Sequence, residues 1–140
     1  GVEFQQMSFD YDESLKKDTK PHLYVQKIVL EKERQFCIKN DLKNETLLFA
    51  DSVVSIRGQI LTKAKNDEEA LKMLLMQSQN EVSVLSAFLL QSPLKRVFSL
   101  SKTTLFLAQF DEEDMKQYIQ SKLYLNKAGA LMCEGIKNTS

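Results

Sequence analysis

Asp51 is the residue whose type and position most strongly suggest chemistry in this sequence. It interrupts the run LLFADSVVSI (Leu47–Ile56), which is otherwise rich in apolar and β-branched residues and predicts a buried strand. A buried carboxylate is costly unless a charged group meets it. Asp51 is therefore either a structural carboxylate that caps a turn or pairs with a lysine, or a metal ligand or general base at the end of a core strand. Ligand sites in open α/β sheets lie at strand ends, which favours the second interpretation.

Three lysines stand where they could bind phosphate. Lys63 follows a short apolar run and precedes a helix, and Lys32 lies in a helical segment. Lys127 begins the run Lys-Ala-Gly-Ala, where small residues let the backbone approach a ligand while the lysine faces phosphate. Most of the 19 basic residues must be solvated surface side chains, so each lysine taken alone is equally well explained as one of these.

The acidic pair Asp12-Glu13 lies in a lysine-rich loop. Two adjacent carboxylates could supply the hard oxygen ligands that magnesium or manganese prefers. The alternative is a pair of solvated loop charges, and the pair by itself does not decide between the two.

Composition excludes several classes of protein. The formal net charge of +0 excludes a duplex-binding protein that relies on overall positive charge. One histidine and two cysteines are too few for zinc sites built from several histidines or thiolates. No apolar run approaches the roughly 18–20 residues that span a bilayer, and residues 1–12 lack the features of a signal peptide. We therefore expect a cytoplasmic protein that binds neither membrane nor nucleic acid.

The spacing of apolar residues predicts alternating helices and strands in one domain. Helices are predicted over residues 23–38, from Asn66 and from Asp111, and strands over residues 3–9, Leu47–Ile56, 60–61, 81–90 and 96–110. Leu71, Leu74 and Leu75 form the predicted apolar stripe of the second helix. The alternation favours an α/β fold with a mixed, twisted β-sheet flanked by helices.

Several short motifs follow one another along the chain. They are Asp12-Glu13, Tyr24-Val25 leading to Lys32, ADSVV (residues 50–54), Lys63, DEEA (residues 67–70), Thr103 and KAGA (residues 127–130). In this order and spacing they resemble the motifs of the Maf (septum-formation inhibitor-like) family of nucleoside triphosphate pyrophosphatases. The resemblance covers nearly the whole chain and implies a single Maf-like (ITPase-like) domain.

The resemblance also implies an activity and a set of site residues. Such enzymes hydrolyse a nucleoside triphosphate to the monophosphate and pyrophosphate with a divalent metal (Mg²⁺ or Mn²⁺). Homodimers occur among them, and the family suggests a house-cleaning role against non-standard nucleotides. Asp51 would hold the metal or activate the attacking water, and Glu13 would be a further metal ligand. Lys32 and Lys63 would be catalytic residues that neutralise the triphosphate. The other implied substrate-binding residues are Ser52, Lys127 and Glu134.

Some positions depart from the family pattern. Phe49 replaces a glycine, Ser52 replaces a threonine, and Glu134 replaces a glutamine. The family's opening Ser-x-x-Arg motif is absent. We therefore expect residues 1–140 to form one Maf-like domain that lacks its N-terminal strand with the phosphate motif and its C-terminal segment. The departures leave a second hypothesis open, a non-catalytic nucleotide-binding or cell-division-associated interaction protein whose site has drifted.

Overall fold

The described part of the chain contains three helices and four strands. The computed structural model describes Gln5, residues 20–41 and residues 44–131. In chain order the elements are α1 (Pro21–Lys39), β1 (Leu47–Ile56), β2 (Gln59–Leu61), α2 (Asp67–Gln77), β3 (Glu81–Gln91), β4 (Arg96–Phe106) and α3 (Glu112–Gln120). The strand predicted over residues 3–9 lies outside the described residues apart from Gln5.

The four strands form one sheet in the order β2-β1-β3-β4. β1 and β2 are joined by Arg57-Gly58, whose φ angles of 52° and 80° are those that a tight hairpin turn requires. β3 runs beside β1 with Asp51 opposite Ala87, and β4 forms a second hairpin with β3. The predicted α/β class is confirmed. All three pairings are antiparallel, so the strands described here do not include the parallel pairing that a mixed sheet requires.

Helix α1 packs on one face of the sheet and buries much of the core. Pro21 begins the helix, where its missing N–H costs nothing. Side chains alternate along a strand, so Phe49 and Val53 of β1 face α1 together. The rings of Phe36 and Phe49 meet edge to face with centroids 5.6 Å apart. These contacts hold the last turns of α1 against the first half of β1.

Helix α2 lies on the other side of the sheet, and α3 packs against α2. Met76 of α2 packs against buried residues of β1, β2 and β3, namely Val54, Ile56, Leu61 and Val82. The stripe predicted for α2 is wrong at two of its three positions, because Leu71 and Leu75 are exposed and only Leu74 is buried. The residues of α2 that are buried are Ala70, Leu74 and Gln77. The polar Gln77 takes the place of an apolar residue because its amide hydrogen-bonds to two backbone carbonyls.

The predicted helix starts at Asn66 and Asp111 are confirmed by their capping bonds. The Asn66 Oδ1 accepts from the Glu69 backbone N–H at 2.9 Å, and the Asp111 Oδ1 accepts from the Glu113 N–H at 2.8 Å. β4 ends at Phe106, so the strand predicted over residues 96–110 is four residues too long. Over residues 20–41 and 44–131, no helix combines the length and apolar character needed to cross a membrane.

Candidate active site

Asp51 and Lys32 form an ion pair between β1 and α1. Asp51 alternates with Phe49 and Val53, so it lies on the face of the sheet that α1 covers. Lys32 is four residues from both Ile28 and Phe36, which are buried, so it lies on the same face of the helix as they do. Its Nζ is 3.3 Å from the Asp51 Oδ2, and it also donates to the Ala50 carbonyl at 3.4 Å.

The pair is reachable from solvent. Both side chains are 25% exposed, and the Asp51 Oδ1 accepts from the Ser52 backbone N–H at 2.7 Å. The ion pair with Lys32 agrees with the structural interpretation, in which Asp51 pairs with a lysine. Asp51 also lies in the middle of β1, so the argument from strand ends does not apply to it. A partly exposed ion pair adds little stability, and its charges can still meet a solute.

A groove of about 580 Å³ opens on the same face of the sheet, beside the start of α1. Ser55 is four residues beyond Asp51 on β1, which corresponds to about 13 Å along a strand. The polar residues that line the groove are His22, Ser55, Arg57, Asn80, Ser83 and Lys102, together with Glu81. Hydroxyls and basic side chains outnumber the single carboxylate, so the groove suits a polar or anionic solute.

Lys63 and Lys127 lie on two segments that are joined beyond β2. Lys63 forms an isolated antiparallel bridge with Ala128, and the Gly129 N–H donates to the Thr62 carbonyl at 3.0 Å. Both lysine side chains are exposed. Gly129 has a φ of 68°, and a Cβ there would lie 3.1 Å from the Val54 Cβ. The small-residue turn expected at residues 127–130 is therefore confirmed, and it requires glycine at position 129.

The other residues predicted for the site are not all brought together. Ser52 lies on the opposite face of β1 from Asp51, and its hydroxyl hydrogen-bonds to the Ser86 hydroxyl at 2.6 Å. Glu13 and Glu134 lie outside the described residues. The functional roles of all seven predicted site residues stay predictions.

Asp51 is a hard oxygen donor of the kind that magnesium and manganese prefer. Glu13, the second predicted metal ligand, lies outside the described residues. In the part of the chain that the structure describes, no group of three or more His, Cys, Asp and Glu side chains could hold a metal ion. Of the two residues in the ion pair, Asp51 is the one whose side chain can be a metal ligand.

A second polar cluster, which the sequence did not reveal, ties the start of α2 to the segment after α3. Helix α3 ends at Gln120, and in the segment after it the Lys122 Nζ donates to the Asp67 Oδ1 at 2.5 Å. The Tyr124 hydroxyl donates to the same carboxylate. Lys122 first, and Tyr124 second, lower the pKa of Asp67, and the carboxylate in turn raises the pKa of Tyr124. No sequence motif links positions this far apart.

Gln77 and Tyr118 are further residues that sequence reasoning missed. The Gln77 Nε2 donates to the Gly129 carbonyl at 2.6 Å, and the Tyr118 hydroxyl donates to the Ala130 carbonyl at 2.8 Å. Both bonds reach the turn that carries Lys127. A signal for Gln77 was present, because it follows Met73 and Leu74 at the spacing of one helix face.

The described residues form an α/β domain in which Lys32 and Asp51 make a partly exposed ion pair, and Lys63 and Lys127 are exposed on two joined segments. The Maf-like protein family matches residues 1–139 of the chain. A protein named nucleoside triphosphate pyrophosphatase from Campylobacter jejuni subsp. jejuni serotype O:23/36 (strain 81-176) is 57% identical over 136 residues, which cover 96% of this chain and 74% of the relative.

Two more distant relatives carry the same name. The protein from a Nitratiruptor species is 37% identical over 137 residues, covering 96% of this chain and 74% of its own. The protein from Helicobacter pylori (strain Shi470) is 35% identical over 137 residues, covering 96% and 70%. The resemblance found in the sequence motifs is confirmed, and the chain belongs to the Maf family.

Proposed function

We propose that this protein is a nucleoside triphosphate pyrophosphatase, a hydrolase that acts on acid anhydrides. The relatives that bear this name support the reaction. The observation in the structure that carries the proposal is the partly exposed pair of Lys32 and Asp51. It combines a carboxylate that can accept a proton with an ammonium that can meet phosphate oxygens, at a place that solvent reaches.

The reaction would use these groups in a simple way. Water attacks the α-phosphorus, the bond from that phosphorus to the bridging oxygen breaks, and pyrophosphate leaves with the bonding electrons. The proton of the water passes to the Asp51 carboxylate, which acts as general base. Lys32, Lys63 and Lys127 offset the negative charge of the triphosphate. Ser52 is a weaker candidate for binding the substrate, because it faces away from Asp51.

We also propose that the reaction depends on Mg²⁺ or Mn²⁺. Asp51 would be one ligand, and Glu13 would be the second, as the family resemblance implies. A bound divalent ion would supply positive charge to the phosphate oxygens. Chelation with EDTA should abolish turnover, and added Mn²⁺ or Mg²⁺ should restore it. Full turnover in EDTA would contradict the metal dependence and leave the hydrolase proposal standing.

The hydrolase proposal is tested by measuring pyrophosphate release by the purified gene product. The panel contains standard and modified nucleoside triphosphates, because a house-cleaning enzyme prefers the modified ones. We expect Asp51→Asn to lower kcat about 1,000-fold, within the range for loss of a general base. Asp41→Asn is the matched control, because Asp41 is an exposed carboxylate outside the pair. The proposal fails if the wild-type protein turns over no triphosphate faster than Asp51→Asn does.

A non-catalytic nucleotide-binding protein, whether or not it is associated with cell division, is the second candidate. The groove of hydroxyls and basic side chains favours it, because the groove would bind a nucleotide whether or not Asp51 is catalytic. In that case nucleotides raise the melting temperature without forming product. Lys102→Met should then weaken the nucleotide-dependent rise in Tm, whereas Lys95→Met, in the exposed turn between β3 and β4, should not.

A further inference from the structure

The turn at residues 127–130 has an unfavourable backbone conformation. Gly129 and Ala130 are consecutive residues with positive φ angles, 68° and 59°. Glycine adopts this region freely, but alanine does not, and Ala130 is 0% exposed. Such conformations persist where surrounding contacts fix them. The contacts that fix this turn are therefore informative about its role.

Two side chains hold the carbonyls of the unfavourable residues. The Gln77 Nε2 donates to Gly129 O at 2.6 Å, and the Tyr118 hydroxyl donates to Ala130 O at 2.8 Å. The Gln77 Nε2 also donates to Met73 O at 3.0 Å. Because both partners of this amide group are carbonyl acceptors, only the NH₂ of Gln77 can face them, so its orientation is determined.

Gln77 is an energetically costly residue at this buried position. It is 0% exposed, and among the described residues its Oε1 has no hydrogen-bond partner. A buried acceptor without a partner costs stability. The cost is understandable if the bond to Gly129 is needed for something other than stability.

The turn is connected directly to Lys63. Lys63 bridges Ala128, and the Gly129 N–H donates to the Thr62 carbonyl at 3.0 Å. Gly129 is thus held by Gln77 of α2 through its carbonyl and by Thr62, next to Lys63, through its N–H. A shift of Gly129 would move the backbones of both Lys63 and Lys127.

We propose that Gln77 is a positioning residue for the phosphate-binding lysines, acting through the carbonyl of Gly129, with Tyr118 as its counterpart at Ala130. The inference rests on the proposed hydrolysis of nucleoside triphosphates, for which Lys63 and Lys127 bind the triphosphate. Gln77 itself does not contact substrate in this scheme. Its loss should therefore weaken substrate binding and leave the chemical step unchanged.

The test compares Gln77→Leu with Gln117→Leu, a matched change at an exposed position of α3. Gln77→Leu should raise KM for the triphosphate about threefold to tenfold and change kcat less than twofold. Tyr118→Phe should raise KM in the same direction, and Gln117→Leu should change neither constant. A fall in kcat together with Tm would show a merely structural role and overturn the proposal.

A double-mutant cycle with Lys63→Met tests whether Gln77 acts through that lysine. We expect Gln77→Leu to raise KM by a smaller factor in the Lys63→Met background than in the wild type, because one of the two lysines to be positioned is already gone. Equal increases of KM in both backgrounds would overturn the assignment.

Amide hydrogen exchange tests the positioning without any enzymatic activity. Gln77→Leu should accelerate exchange at Gly129, whose N–H donates to Thr62, at least tenfold and leave the β1 and β3 amides unchanged. If the wild-type protein hydrolyses no triphosphate, the proposed function fails while this measurement still decides whether Gln77 fixes the turn. Unchanged exchange at Gly129 would contradict the positioning role.

Discussion

Two regions of the molecule hold their lysines by different means. On the α1 side, Lys32 extends from a regular helix and meets the carboxylate of Asp51 directly, at 3.3 Å. Beyond β2, Lys63 and Lys127 lie on a strand end and a turn whose backbone is fixed by Gln77, a neutral side chain. In the first region the lysine side chain is held by an ion pair. In the second region the lysines are held through their backbones.

The difference predicts how each region responds to change. Lys32 is placed by the helix face it shares with Ile28 and Phe36, so its position depends on how α1 packs on the sheet. The lysines of the second region depend on an unfavourable turn and on the residues that tolerate it. Core substitutions should therefore disturb the first region most, and backbone substitutions should disturb the second.

The largest effect is expected from Phe36→Ala, which removes the ring that packs against Phe49 beneath α1. Loss of a buried aromatic ring should lower the free energy of unfolding by about 3 kcal/mol. Phe106→Ala is the control, because that side chain is 76% exposed and should cost less than about 1 kcal/mol. Urea unfolding measures both. Equal losses would show that α1 is not anchored through this contact.

The next effect is expected from Lys32→Met, which leaves Asp51 without its ammonium partner. We expect kcat/KM for a triphosphate to fall about 100-fold, equivalent to about 2.7 kcal/mol of transition-state stabilisation. Lys27→Met removes an exposed lysine from the same helix and should have no effect. If the two variants have equal activity, the pair is a structural ion pair and the first region is not the catalytic one.

Sequence patterns predicted the first region better than the second, and the reason is physical. Asp51 stood out because a carboxylate interrupts an apolar strand, and that signal is local. Lys32 was predicted only to lie in a helical segment, and the structure places it on the helix face of Ile28 and Phe36. The bond from Gln77 to Gly129 joins residues 52 positions apart, and it exists only because α2 packs against the turn.

The pairing of the strands was also not predictable from local sequence patterns. The bounds of β1 were predicted correctly, but alternation along a strand does not say which neighbour it joins or in which direction. Ser52 shows the same limit. It was grouped with Asp51 because the family resemblance implies both residues, yet neighbours in a strand lie on opposite faces.

A smaller effect is expected from Gly129→Ala, which tests the second region through its backbone. An alanine Cβ would adopt an unfavourable φ and also lie 3.1 Å from the Val54 Cβ, so unfolding should become easier by about 2 kcal/mol and KM should rise. Gly58→Ala separates the two causes, because Gly58 has a φ of 80° with nothing within 4 Å of the added carbon. It should cost about 1 kcal/mol. Equal costs would show that the close approach to Val54 is easily relieved.

The smallest effect is expected in the pH dependence of stability, which compares a long-range carboxylate with a local one. Lys122 and Tyr124 lower the pKa of Asp67 below its ordinary value of 3.8, and Arg34 and Gln35 lower that of Glu31 from 4.5 to about 2. A lowered pKa stabilises the folded state above the ordinary value, and this stabilisation is lost as the pH falls through the folded-state pKa. Stability should therefore decline below about pH 4.

The two carboxylates should contribute unequally to that decline. Glu31 and Arg34 are three residues apart on one helix and can still meet in the unfolded chain, whereas Asp67 and Lys122 are 55 residues apart and meet only in the folded protein. Urea unfolding between pH 7 and pH 2.5 should show a flatter profile for Asp67→Asn than for Glu31→Gln, and 1 M NaCl should reduce the difference. A flatter profile for Glu31→Gln would mean that the cluster at Asp67 does not fasten α2 to the segment after α3.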